Sequence, residues 1–301
     1  MLHHLHAQEV LPHRVVVLGG GGFIGGAIVR RLKESGIACT SLGRPDFDLL
    51  KPGAAERLAQ TLGNQDTLIF VSAKAPCKDM DMLKDNNEMA HAVLAALRKK
   101  PVAHLVYISS DAVYKDSTNP LTEDSCAEPG SLNGVMHLTR EVALRQGFAG
   151  PVAAVRATLV YGLDDPHNSY GPNRFRRLAA LGQEIVLFGE GEEQRDHVHV
   201  EDLAELVKKI ILWRSTGIVN AVSGEVVSFR TLAEFAVKDL SSVSNIKGTP
   251  RAGPMPHHGL RPFDNVAVLK AFPGFRFKNW QEGLAAVHAQ HISQAKQENK
   301  P

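Results

Sequence analysis

The chain has 301 residues, enough for one large domain with a sizeable core or a main domain carrying a smaller one. It is 44% hydrophobic and 22% charged, with a net charge of +2 and Lys and Arg spread along its length, which excludes the basic patch of a nucleic-acid binder. Its longest apolar runs, such as Val152-Ala-Ala-Val155, are too short to cross a bilayer, and three cysteines without Cys-x-x-Cys spacing argue against a disulfide framework or structural zinc.

A protein of a reducing compartment is expected, cytoplasmic and without membrane partners. The start, Met1 to His6, has neither the charged beginning nor the apolar run of a secretion signal, and a short mobile tail is expected there. Arg14 to Leu18 then reads as a strand closed by glycines, and Phe23 to Glu34 as a helix, with Ile24, Ala27, Ile28 and Leu32 on one face. Strands are expected at Ile37 to Leu42, Thr67 to Val71, Ala103 to Ile108 and Val152 to Ala157. Helices are expected at Ala54 to Leu62, from about Asn87 to Lys99 and from about Gly134 to Gln146. This alternation implies right-handed crossovers and an α/β fold, a parallel sheet covered on both faces. After Tyr161-Gly162 the pattern changes to a helix at Arg174 to Leu181 and short strands between loops. Residues 12–160 are therefore expected to form a nucleotide-binding domain and 161–301 a smaller one, with Ile218 to Val222 returning to the main sheet.

Gly19-Gly-Gly-Gly22-Phe-Ile-Gly25 lies between the first strand and the first helix. Glycines so placed allow a tight turn, close approach of backbone to a pyrophosphate and close packing of helix on strand, while the helix N-terminus offers N–H donors. Gly19, Gly22, Phe23, Ile24 and Gly25 are candidate cofactor contacts. An NAD site usually places a carboxylate at the end of the second strand, about 20 residues after the glycines. Here that region reads Ser41-Leu-Gly43-Arg44. A guanidinium at Arg44 suits a 2′-phosphate, so NADP(H) is the expected cofactor and NAD the alternative. Asp48 is a candidate contact near the adenine or, equally, a cap for the next helix. Ser72, Ala73 and Lys74 lie just past the third strand, where Lys74 is a candidate phosphate contact.

Four further segments complete the pattern: Ser109-Ser110-Asp111-Ala-Val-Tyr114; Ser131-Leu-Asn133-Gly-Val-Met-His137; Gly189-Glu-Gly-Glu-Glu-Gln-Arg195-Asp196-His-Val-His-Val-Glu201-Asp202; and Leu260-Arg261-Pro-Phe-Asp264. From about Arg14 to Leu284 the chain resembles the extended short-chain dehydrogenase/reductase family, in particular its NAD(P)-dependent nucleotide-sugar epimerases and dehydratases. The resemblance implies a Rossmann-type doubly wound parallel sheet with a smaller C-terminal substrate-binding domain. It places Ser109 beside the cofactor, Ser110 at the reacting oxygen and Asp111 where some members carry an acid.

At the family's catalytic Tyr-x-x-x-Lys this chain has Asn133 and His137. Asn has no proton to exchange at useful pH, whereas His137 can bond a ribose hydroxyl and can titrate near neutrality, although a neutral imidazole would not lower a partner's pKa. Tyr114 is expected to pack beneath the site, with a substitute acid as the alternative. By the same resemblance Arg195 and Arg261 contact the diphosphate of a sugar nucleotide, and Asn173 its sugar or pyrophosphate. Asp202 is expected to cap the helix from Leu203, and His197 and His199 to be packed polar residues rather than metal ligands. The implied activity is epimerase, dehydratase or reductase chemistry on a nucleotide sugar or related keto/hydroxy compound. The alternative is a cofactor-binding sensor or scaffold that has lost catalysis. Homodimerisation through the helices near 87–99 and 134–146 is also implied.

Overall fold

A strand that is apolar on both faces has to be covered on both, and Arg14–Leu18 is such a strand. Val15 and Val17 face one core together with Ile69, Val106 and Val155; Val16 and Leu18 face the other with Leu68, Phe70 and Leu105. The computed structural model of the chain describes residues 2–44, 47–166, 168–240 and 242–298. In chain order its elements are β1 (His3–His4), β2 (Arg14–Leu18), α1 (Phe23–Glu34), β3 (Cys39–Leu42), α2 (Ala54–Thr61), β4 (Asp66–Phe70), α3 (Met80–Lys99), β5 (His104–Ser110), α4 (Leu132–Gly147), β6 (Val152–Ala157) and β7 (Leu159–Tyr161). There follow α5 (Pro172–Ala180), β8 (Ile185–Phe188), β9 (Gln194–His199), α6 (Val200–Leu212), β10 (Ser215–Ala221), β11 (Val226–Ser228), α7 (Phe229–Asp239), β12 (Ile246–Thr249), β13 (Leu260–Arg261), α8 (Val266–Ala271) and α9 (Trp280–Glu298).

The large sheet has seven strands in the order β1-β10-β6-β5-β4-β2-β3. All neighbours are parallel except β1, which runs antiparallel to β10. The doubly wound α/β architecture is thus present. One face is covered by α1, α6 and α8, whose Ala27, Ile28, Leu203, Val207 and Val268 share a core. The other is covered by α2, α3 and α4 through Leu58, Met89, Val93 and Leu144. The chain leaves β2 toward β3 on one side and returns to β4 on the other. The crossovers diverge there, which opens a crevice at the carboxyl ends of the strands. A third core gathers Tyr161, Phe175, Ile185, Leu187, Phe229 and Leu232 from β7, α5, β8 and α7. Around it β7, β11 and β13 pair with β9, and β12 pairs with β8.

Two local expectations are corrected. The N-terminal residues are not a loose tail: His3 pairs with Thr216 and His4 with Ser215. His4 Nδ1 lies 2.7 Å from Ser215 Oγ and Nε2 2.8 Å from the Ala271 carbonyl, with its ring against Trp213 and Phe272. Helix α3 begins at Met80, well before Asn87, because the Asp79 side chain accepts from the Met82 N–H and caps it. Its first turns hide their inward face behind a polar residue. Asn86 is fully buried, accepts from the Lys74 N–H at 2.9 Å and donates to the Lys74 carbonyl at 2.9 Å. Among the described residues no helix is long and apolar enough to cross a membrane.

Candidate functional site

The crevice is one continuous cleft of about 830 Å³ that runs from the glycine loop, past the ends of β4 and β5, to β9. That is within the range of small-molecule and cofactor sites. Its first wall is backbone. The Gly22 N–H donates to the Gly19 carbonyl at 3.0 Å, closing the turn after β2. A Cβ at Gly25 would collide with that same carbonyl oxygen, so only glycine lets α1 start this close to the strand. Helix α1 has no side-chain cap and no acidic residue in its first turn, so its N-terminal N–H groups and positive dipole end face the cleft uncompensated. A dinucleotide's pyrophosphate fits such a cradle.

Gly19, Gly22, Phe23, Ile24 and Gly25 all line the cleft, as do Arg44, Asp48, Ser72 and Ala73. Arg44 is exposed at the mouth, with no ion-pair partner among the described residues. Asp48 does not cap α2, whose cap is Gly53; its carboxylate accepts from the Leu50 N–H at 2.9 Å and closes a local turn. Lys74 is absent from the lining, because its ammonium is paired with Asp85 on α3.

The second wall joins β5 to α4. Ser110 lines the cleft and its Oγ accepts from the Ala112 N–H at 3.1 Å, capping a short turn over Asp111–Val113. Ser109 also lines the cleft, with its hydroxyl donating to Glu141 at 2.5 Å. Glu141 in turn takes two hydrogen bonds from Arg156, at 3.0 and 2.7 Å, in a buried ion pair. Helix α4 is capped by Ser131, whose Oγ accepts from the Gly134 N–H. A Cβ at Gly134 would strike the Ala112 carbonyl, so this glycine lets α4 lie directly against the Ser110 turn. Asn133 lines the cleft, and its Oδ1 accepts from the Cys77 N–H at 3.0 Å, tying α4 to the loop after β4.

His137 does not titrate near neutrality. Burial, reinforced by the Arg140 charge, pushes its pKa down to about 3, and its Nδ1 lies 2.8 Å from the Tyr107 hydroxyl. Tyr114 packs beneath the site, as expected. Its hydroxyl donates to Asn220 at 2.6 Å, and Arg156 lies over its ring.

On the third side Arg195 enters the cleft from β9. Its Nη1 donates to Glu193 at 3.4 Å and its Nη2 lies 3.8 Å from Asp111, both long contacts, and its Nε has no hydrogen-bond partner among the described residues. Arg261 is placed differently. It is 1% exposed and absent from the lining, and it donates to the Asp111 carboxylate at 2.9 Å, to the Asp111 carbonyl at 2.7 Å and to Asp116 at 2.5 Å. Asp111, which also lines the cleft, thus stands between two guanidinium groups, and Arg261 holds the β5 turn rather than a ligand.

Asn173 lines the cleft with both ends of its amide engaged, accepting from the Gly162 N–H at 3.1 Å and donating to Asp165 at 2.9 Å. Asp202 does not cap α6. The cap is His199, whose Nδ1 accepts from the Glu201 N–H, while Asp202 accepts from the Lys278 N–H at 2.7 Å. His197 is buried with Nδ1 3.1 Å from the Arg195 carbonyl, and burial pushes its pKa down to about 3.

Several contributors escaped the sequence reading: Tyr107, Arg140, Arg156 and Glu141 beneath the cleft, and Asp196, which accepts from the Ser223 and Gly224 N–H groups. For the α4 residues the signal was available, since His137, Arg140, Glu141 and Leu144 recur at helical spacing on the buried face.

A family model described as the NAD dependent epimerase/dehydratase family matches residues 15–221. GDP-L-fucose synthase 1 of Arabidopsis thaliana is 26% identical over 255 residues, covering 73% of this chain and 76% of that protein. Among solved structures, a GDP-L-fucose synthetase from Naegleria fowleri bound to NADP superposes with a TM-score of 0.81 at 17% identity, over 98% of each chain. UDP-glucose 4-epimerase from Thermotoga maritima, with UDP-glucose, gives 0.80 at 20% identity, over 94% of this chain and 99% of that one. With the family model matched over more than half its length, the chain belongs to the NAD dependent epimerase/dehydratase family.

Proposed function

We propose that this protein binds NADP(H) along the glycine cradle and a nucleotide sugar, or a related keto/hydroxy compound, against Arg195. The carrying observation is that Gly19, Gly25, Ser110 and Arg195 all line the same cleft. When bound, the nicotinamide supplies hydride transfer. The protein's part is positional. The N-terminus of α1 receives the pyrophosphate, and Arg44, exposed at the mouth and without an ion-pair partner among the described residues, suits the 2′-phosphate that distinguishes NADP. The NADP bound in a neighbouring structure supports this cofactor preference. Ser110 holds the reacting oxygen, and Arg195, held only by long contacts to Glu193 and Asp111, turns to a phosphate of the substrate.

A second reading is favoured by the start of α4. Asn133 has no proton to give and is bonded to the Cys77 N–H, and His137 is a neutral imidazole, so the usual acid–base pair is missing. A cofactor-binding sensor or scaffold is therefore the alternative. Titration with NADPH and NADH, followed by turnover assays on UDP-, GDP- and dTDP-sugars, separates the two. NADPH-dependent turnover abolished by Ser110→Ala supports the enzyme. Tight NADPH binding with no turnover across the panel supports the sensor, and no dinucleotide binding rejects both.

A further inference from the structure

Arg140 is fully buried and has no carboxylate partner among the described residues. Its guanidinium donates to the carbonyl oxygens of Asn86 and Ser72 and to the Asn86 side chain, and lies over the Phe70 ring at 4.8 Å. Its positive charge also acts on the neighbouring Tyr107 phenol. Tyr107 is buried, and its hydroxyl meets His137 Nδ1 at 2.8 Å. His137 lines the cleft. These three side chains, from β5 and two successive turns of α4, form a line from a buried cation to the ligand space.

The protons in this line are fixed by elimination. A guanidinium only donates, so Arg140 offers the phenol hydrogen no acceptor. The phenol has one hydrogen, and His137 Nδ1 is the only hydrogen-bonded partner of that hydroxyl among the described residues. Burial keeps both groups neutral, raising Tyr107 to about 12 and lowering His137 to about 3. A neutral imidazole has one accepting and one donating nitrogen. If Nδ1 carried its hydrogen, the phenol hydrogen would have no acceptor and would sit buried beside a cation. Nδ1 therefore accepts, and the imidazole hydrogen is on Nε2, the nitrogen left for the cleft.

We propose that Arg140 and Tyr107 are positioning residues that lock His137 in its Nε2–H form, presenting one fixed N–H donor to a hydroxyl or carbonyl oxygen of the bound ligand. On the function proposed above, on which this assignment of the acceptor rests, that oxygen belongs to a ribose of the dinucleotide. His137 thus contributes a directed hydrogen bond and no proton exchange.

Nitrogen NMR on isotope-labelled protein, with His137 assigned by comparison with His137→Gln, reads the tautomer directly. The expected result is an unprotonated Nδ1 and a protonated Nε2. Tyr107→Phe, checked for folding by thermal melting, is expected to lose this lock and to bind NADPH about fivefold more weakly, the loss of one oriented hydrogen bond. A protonated Nδ1 in the unmodified protein overturns the proposal, and so does an unchanged NADPH affinity in Tyr107→Phe. If the unmodified protein binds neither NADPH nor NADH, the proposed function falls, and the nitrogen shifts then decide the tautomer lock by themselves.

Discussion

At the glycine cradle the surface offered to a ligand is backbone: the turn from Gly19 to Gly22, the close contact at Gly25 and the open N–H groups of α1. At the start of α4 the surface is made of side chains, Asn133 and His137, each already bonded to the protein behind it. Backbone geometry of this kind leaves few options, since almost any substitution at Gly25 collides with its surroundings. A side-chain site can change its chemistry while the scaffold stays intact. The backbone wall therefore constrains its own sequence more tightly than the side-chain wall does.

Four experiments press on this contrast, beginning with the largest effect. Glu141→Ala leaves Arg156 buried without its partner and is expected to cost about 3–5 kcal/mol, read as a large drop in thermal unfolding midpoint. A loss below about 1 kcal/mol would show that the α4 side of the cleft is not held by this pair. Gly25→Ala is expected to lose about 100-fold in NADPH affinity, because α1 must move away from β2 by the width of a methyl group. Binding at the original strength would break the claim that the cradle tolerates no side chain.

Acid stability comes next. His104, His137 and His197 are lowered by burial from 6.5 to about 4, 3 and 3. Their neutrality stabilises the fold fully above about pH 6.5, and that stability is lost as pH falls, since the unfolded chain takes up protons first. Asp196, raised by burial to about 6, acts in the opposite sense between about pH 6 and 4. His199 and His257, also lowered by burial, add to the histidines' side, so stability is expected to fall between about pH 6 and 4. Denaturant melts across that range measure it, and a flat profile would mean that the histidines are hydrated. The smallest effect is expected from Asn133→Tyr, which restores a titrating hydroxyl while giving up the bond to Cys77. A modest gain in turnover, with a new pH dependence, is expected in an assay on any sugar nucleotide the protein accepts. No gain would show that the cleft does not depend on an acid at that position.

What could be read from the sequence was what is written locally. The strand–glycine–helix order at Arg14 to Glu34 is set by neighbours in the chain, and β2 and α1 occupy the residues expected of them. Misplaced features depend on partners far away. Arg261 looks like a phosphate ligand until Asp111, 150 residues away, is seen to hold it. Lys74 looks available until α3 starts early enough to bring Asp85 beside it. Asn133 shows in the sequence only what it lacks, and its bond to the Cys77 N–H comes from a loop 56 residues back. His137 looks able to titrate because neither its burial nor the charge of Arg140 is visible in one dimension.

The pairing of His3 and His4 with Ser215 and Thr216 gives the beginning of the chain a protective role. Strand β10 would otherwise end the sheet with a row of unpaired backbone groups, the kind of border onto which another polypeptide can add a strand. A two-residue antiparallel strand, pinned by the His4 ring between Trp213 and Phe272, covers the first two residues of that border with material from the same molecule. Trimming the first residues, or forcing them outward with a bulky fusion, would then tell first on colloidal behaviour. The cleft lies at the strands' carboxyl ends and would be left as it is, but the molecule would lose its guard against self-association.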